Sequence, residues 1–121
     1  MVNISVPIVH VVMWRLNGDT AELRTNQSVQ ILDAFQSVEH DVPGMIRMEI
    51  GSNIIEADDG WDLALVSVFR TRADLLAYQT HPAHLAVKRL VAPLRLERAQ
   101  VDFELPDFDE NRQVTRTKEF P

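Results

Sequence analysis

Apolar residues crowd the stretch from Ile4 to Leu16, most densely at Ile8-Val9-His10-Val11-Val12-Met13-Trp14. β-branched residues dominate and both alternation sets are apolar, which predicts a strand covered on both faces. Asn17-Gly18-Asp19 breaks it. Asp19-Thr20-Ala21-Glu22 then has capping-box spacing, with Asp19 as the expected cap. From there to about His40 the pattern turns helical: Ile31, Leu32, Phe35, Val38 and Val42 share one broad face, opposite Gln30, Asp33 and Gln36. Pro43-Gly44 ends this helix and opens a second strand, Met45 to Gly51, followed by an Asn-, Asp- and Gly-rich loop over Ser52 to Gly60.

Trp61 to Arg70 predicts a third strand. Trp61, Leu63, Leu65 and Phe69 fall on one face, and Ala64, Val66 and Val68 on the other. Thr71-Arg72-Ala73-Asp74 reads as a helix cap before a short helix, Leu75 to Gln79. After Pro82 another helix carries His84, Val87, Val91 and Leu94 at spacings of three and four, with Pro93 weakening its last turn. Glu97 to Leu105 alternates Ala99, Val101, Phe103 and Leu105 against Arg98, Gln100 and Asp102, a final strand. One domain over residues 1–106 is therefore expected. Residues 107–121 form a polar tail, expected to be mobile or to lie across a partner.

The order β-α-β-β-α(α)-β is that of an α+β, ferredoxin-like split βαβ unit, a four-stranded antiparallel sheet with helices on one face. Helices cover only that face. Val9, Val11, Val66, Val68, Val101 and Phe103 suggest that the other is apolar as well. A second copy of the same sheet is the simplest cover, so the pattern predicts a homodimer, paired as a dimeric α+β barrel.

Chemistry concentrates at Tyr78-Gln79-Thr80-His81-Pro82-Ala83-His84. Pro82 disfavours helical geometry at His81, so one helix stops and another starts there. Such a corner can aim a phenol and an imidazole at one space. His81 and His84 are three apart, but the break at Pro82 spoils the face they would share, and no compact carboxylate partner is evident, so no metal site is expected. His40, closing the first long helix, reads as a surface residue favoured by the helix dipole.

Composition narrows the field. The chain has 121 residues, a net charge of −6 and no cysteine. The acidic balance argues against nucleic acid or an anionic membrane as partner, and no apolar run reaches spanning length. Disulfides and thiolate metal sites are excluded. The lack of cysteine and of an evident signal segment fits a cytoplasmic protein. No phosphate loop, nucleophile elbow or dinucleotide fingerprint is present.

In order along the chain, five segments resemble the stress-responsive α/β-barrel (Dabb) domain family: His10-Val11-Val12-Met13-Trp14, Val42-Pro43-Gly44-Met45, Glu49-Ile50-Gly51-Ser52-Asn53, Asp62-Leu63-Ala64-Leu65-Val66, and the corner Tyr78 to His84. The similarity spans roughly His10 to Leu105. It implies a dimeric barrel. It also implies, by likeness to the family's plant polyketide cyclase, an intramolecular aldol condensation with no metal or organic cofactor. In that cyclase a Tyr and a His at the corner carry the chemistry and a strand His lines the pocket, which match Tyr78, His84 and His10 here. Family likeness transfers fold better than activity.

On that implication His84, neutral near pH 7, is a candidate general base, and Tyr78 donates to an enolate or carbonyl oxygen. The alternative is that His84 bonds Tyr78 or a backbone carbonyl and merely fixes the corner. His81 caps or orients the corner at the pocket edge. Val12, Trp14, Ile31, Phe35, Leu65 and Val87 are candidate pocket walls, or plain core. Departures from the plant cyclase are Gln79, Lys88, Arg98 and Gln100: reaching the cavity, they imply a more polar or anionic ligand; pointing outward, they are solvated. The leading expectation is a small-molecule-binding barrel acting as a cofactor-free lyase or cyclase on a carbonyl compound. A non-catalytic stress-associated binding protein and a cofactor-independent monooxygenase are the alternatives.

Overall fold

The computed structural model describes residues 6–106. The elements are β1 (Ile8–Leu16), α1 (Ala21–Phe35), α2 (Val38–Asp41), β2 (Met45–Ser52), β3 (Leu63–Phe69), α3 (Arg72–Tyr78), α4 (Pro82–Val91) and β4 (Arg95–Glu104). The strands form one sheet in the order β2-β3-β1-β4, with every neighbouring pair antiparallel. Each half runs strand, helix, strand, so the fold is α+β and ferredoxin-like. No helix among the described residues is long and apolar enough to cross a membrane. The predicted tail, 107–121, lies outside the described residues.

Alternation sorts the sheet. Ile8, Val12, Trp14 and Leu16 of β1 and Leu63, Leu65 and Phe69 of β3 are buried, packing with Ile31 and Phe35 of α1, Val38 of α2, Leu75 and Tyr78 of α3, and Val87 and Val91 of α4. On the opposite face Val9, Val11 and Met13 stand in register with Val68, Val66 and Ala64 on one side and Phe103, Val101 and Ala99 on the other. Val9 and Val68 are buried there, but Val66, Val101 and Phe103 keep 38%, 55% and 47% of their surface exposed. The six residues expected on a second apolar face do share one.

Element ends differ from the expected ones for local reasons. Thr20, not Asp19, caps α1: its backbone is extended and its Oγ1 accepts from the Leu23 amide at 3.1 Å. The single helix expected to reach His40 is two. The Gln36 amide turns back to the Asp33 carbonyl at 3.3 Å, and α2 restarts at Val38. Phe35, Val38 and Val42 are all buried in the same core, so the spacing runs unbroken through a broken backbone. His40 falls in α2 and is exposed.

β3 begins at Leu63 rather than Trp61. Asp62 is diverted to accept from the Leu16 amide at 2.7 Å, and the Trp61 ring lies under the Arg15 guanidinium at 4.7 Å. α3 starts earlier than expected, capped by Thr71, whose Oγ1 accepts from the Asp74 amide at 3.0 Å. β4 starts at Arg95 because Leu94 and Pro93 are already held by Asn17, amide to carbonyl at 2.8 Å and side chain to carbonyl at 2.8 Å. Gly44 has φ +82°, and a Cβ there would stand 2.3 Å from Asp74 Cγ, so both backbone and space demand glycine. Its carbonyl accepts from the Arg70 amide, tying the start of β2 to the end of β3.

Candidate active site

Pro82 is the first residue of α4, and His81 is its cap, with extended backbone (φ −66°, ψ 138°). The His81 Nδ1 accepts from the Ala83 amide at 3.0 Å. Its ring is thus spent on building the corner and does not line the cavity described below. The turn it sets carries α3 into α4 so that Tyr78, the last residue of α3, meets His84, in the first turn of α4. Their rings stack, with centroids 4.0 Å apart and planes at 21°.

Tyr78 is 1% exposed and wedged among aromatic rings: Phe69 lies 5.2 Å away and His10 stands edge-on at 6.3 Å. Its hydroxyl is buried and has no hydrogen-bond partner among the described residues. Burial pushes the phenol up to about 12, against a smaller opposing pull from the Arg98 charge. At neutral pH it is a protonated donor with nothing among the described residues to donate to.

His84 is half-buried, and its Nδ1 lies 3.1 Å from the Tyr78 carbonyl. A carbonyl only accepts, so the proton sits on Nδ1 and, in the neutral ring, Nε2 keeps its lone pair. Desolvation holds the imidazole below its ordinary value, the Lys88 charge adds to this, and bonding to the Gln79 and Tyr78 backbone opposes it. The ring is therefore neutral at pH 7. The bond to Tyr78 does fix the corner, and it leaves the second nitrogen for chemistry.

His10, on β1, is 2% exposed, and its Nδ1 donates to Asp102 Oδ1 of β4 at 2.5 Å. The other Asp102 oxygen accepts from Gln100 Nε2 at 2.8 Å. Sequence reasoning missed this carboxylate. Asp102 is 92 residues from His10, but the two are direct partners in the β1–β4 ladder. The strand pattern held the signal: once Val101 and Phe103 face the outer side, Arg98, Gln100 and Asp102 must face the helices.

A cavity of about 280 Å³ opens between β1, β4 and α4. It brings together His10, Tyr78 and His84 with the walls Val12, Trp14, Phe35, Leu65 and Val87, as well as Val91. Ile31 is not among them: at 0% exposure it is wholly core, on the buried face of α1. Lys88, Arg98, Gln79 and Gln100 all reach the cavity, and so does Arg95, which no sequence feature singled out. Among the described residues no group of three or more His, Asp or Glu converges as a metal cluster. The arrangement can hold a small molecule with one oxygen on a buried phenol and its neighbouring carbon near a neutral imidazole.

Comparison with known proteins follows the same outline. A family model described as the stress responsive A/B barrel domain (Dabb) matches residues 8–105. No functionally curated protein matches. Among solved structures, a dimeric protein of unknown function and ferredoxin-like fold from Bacteroides fragilis is 27% identical, with a TM-score of 0.73 over 82% of this chain and 96% of that one. The hydroxynitrile lyase of Passiflora edulis is 18% identical, with a TM-score of 0.69 over 86% and 97%. SnoaB, a cofactor-independent oxygenase from Streptomyces nogalater, is 11% identical, with a TM-score of 0.64 over 93% and 100%. The last two likenesses are of fold alone.

Proposed function

Given that the chain belongs to the stress-responsive A/B barrel (Dabb) family, we propose that it is a small-molecule-binding barrel whose Tyr78–His84 pair handles a carbonyl substrate as a cofactor-free lyase or cyclase. The observation that carries this is the Tyr78 hydroxyl, a buried donor without a partner among the described residues, on a residue that lines a cavity. Burying such a group unpaired costs about 1–3 kcal/mol, and a bound carbonyl oxygen would recover it.

In this reading Nε2 of His84 takes a proton from the carbon next to a substrate carbonyl. The electron pair left behind moves onto the carbonyl oxygen, where the Tyr78 O–H donates. The enolate carbon then bonds to a second carbonyl carbon, and the imidazolium returns the proton to the new alkoxide. Run backwards, the same steps cleave the bond, as a lyase requires. His10 lines the same space, with Asp102 orienting its ring and stabilising any positive charge that it takes up.

The reading includes a homodimer. Val66 of β3 and Val101 and Phe103 of β4 leave apolar surface exposed on either side of β1, and the Bacteroides fragilis relative is a dimer. A second sheet laid on that face buries this surface.

Proton abstraction is testable without knowing the substrate. Small ketones and β-dicarbonyls incubated with the protein in deuterated buffer should exchange their α-hydrogens faster, as followed by NMR, and His84→Ala should remove the acceleration. A thermal-shift screen of the same compounds reads binding separately. Binding without exchange would replace catalysis by the non-catalytic binding role, which the His84 bond to the Tyr78 carbonyl favours. The oxygenase alternative rests on fold likeness alone, and oxygen uptake over a phenol panel would be its mark.

A further inference from the structure

We propose that the ligand is a small organic anion: a carboxylate with an apolar or aryl body and a ketone carbonyl, anchored by Lys88, Arg95 and Arg98 at the rim of the cavity. The proposal rests on the Tyr78–His84 reading above and adds the class of substrate.

The charge distribution carries it. The chain as a whole is acidic, at −6, yet among the described residues three cations and no acidic side chain line this cavity. Four arginines elsewhere are matched: Arg15 with Glu97 at 3.2 Å, Arg24 with Asp62 at 3.6 Å, Arg47 with Glu49 at 3.4 Å and Arg72 with Glu104 at 3.2 Å. Lys88, Arg95 and Arg98 have no ion pair among the described residues. The carboxylate that Arg98 feels most, Asp102, already has one oxygen on His10 and the other on Gln100.

Arg98 is also partly desolvated and repelled by Arg95, both of which hold its guanidinium below the ordinary range. Like charges gathered at a concave, low-dielectric mouth without counter-ions focus a field that draws in an anion. Planar guanidinium forks suit a carboxylate better than a point ammonium would.

Placement orients the ligand. Lys88 follows His84 by one turn of α4, so the ammonium and the imidazole lie on one helix face. Arg98 stands opposite Trp14 in the β1–β4 register, and its charge reaches the Tyr78 phenol. A carboxylate at the rim therefore directs the rest of the molecule inward, past Val87 and Val91 toward Tyr78 and His84. The volume of about 280 Å³ lies below the ~300–1,000 Å³ usual for ligand pockets, which suits a compact oxo acid better than a long acyl carrier.

Benzoylformate and its methyl ester form a matched probe pair, since they share ring and ketone and differ in charge. Calorimetric titration of each into the full chain, wild type and Arg98→Gln, makes the test, with circular dichroism checking the fold. The acid should bind about tenfold more tightly than the ester, and Arg98→Gln should erase about tenfold of acid affinity while leaving the ester unchanged. Raised salt should weaken only the acid. Equal affinity for acid and ester in the wild type overturns the anion proposal and leaves the carbonyl pocket standing. Binding of neither, with Tyr78 and His84 NMR signals unmoved, overturns both.

Discussion

Replacing Tyr78 by Phe should leave the free protein as stable as before, or make it more stable. For an ordinary buried tyrosine the hydroxyl has a partner, and its loss costs about 1 kcal/mol. Here the hydroxyl is buried with no partner among the described residues. Deleting it removes a desolvation penalty of about 1–3 kcal/mol less whatever hydration the cavity provides, so the expected change runs from zero to about 1 kcal/mol of stabilisation. The ring contacts with His84 at 4.0 Å and Phe69 at 5.2 Å are kept by phenylalanine. Urea denaturation at fixed protein concentration reads the difference as a shift of midpoint at constant slope. Proton exchange into a carbonyl probe should meanwhile fall by about 10²-fold, the usual loss for one oxyanion donor. Destabilisation by more than about 1 kcal/mol would refute the reasoning, because it would mean that the hydroxyl has a stabilising partner.

Three further outcomes are expected. Tyr78 is the chain's single tyrosine, so ultraviolet titration of phenolate reports it alone, with a midpoint near 12. Because the folded value lies above the unfolded 10.0, folding favours the protonated phenol: stability is unaffected by it below pH 10 and falls as pH rises toward 12. His84 titrates below 6.5 in the folded chain, so a reaction using it as base should keep its rate down to that pH and lose it on a limb further toward acid. A limb centred above 6.5 that persists in His10→Gln would contradict the assignment. If the chain pairs through its outer face as proposed, Phe103→Asp should give monomers in light scattering at micromolar concentration where the unsubstituted chain gives a dimer's mass, since a desolvated carboxylate in an apolar sheet-on-sheet contact costs several kcal/mol; an unchanged dimer mass would place the interface elsewhere.

Strands and corner were legible because each is written in local pattern. β1 and β3 are dense in β-branched and apolar residues on both alternation sets, and Pro82 marks the start of α4 unaided. The break after Phe35 was not legible, since Val38 and Val42 pack into the same core and preserve helical spacing across it. Nor could the cap of α1 be chosen between Asp19 and Thr20. Thr20 takes the cap while side chains of α1 hold the turn before it, Arg24 Nη1 donating to the Gly18 carbonyl at 2.8 Å and the Gly18 amide donating to Gln27 Oε1 at 3.0 Å. In the candidate site, Tyr78, His84 and His10 were visible as residue types, but Ile31 and His81 were expected at a wall they do not reach. Asp102 needed the β1–β4 register, which pairs residues 92 apart and which no short-range pattern encodes.

Strand β4 has a consequence for how this chain can change in length. Its odd positions, Ala99, Val101 and Phe103, belong to the outer face, and its even positions, Arg98, Gln100 and Asp102, to the helix side. Point substitutions can therefore alter chemistry and association separately. Gain or loss of one residue within the strand inverts parity downstream, sending carboxylate and amide into the apolar layer and valine and phenylalanine into the cavity. A two-residue change restores it. Insertions and deletions surviving in this strand should accordingly come in even numbers, while the loop before Trp61 is free of that rule.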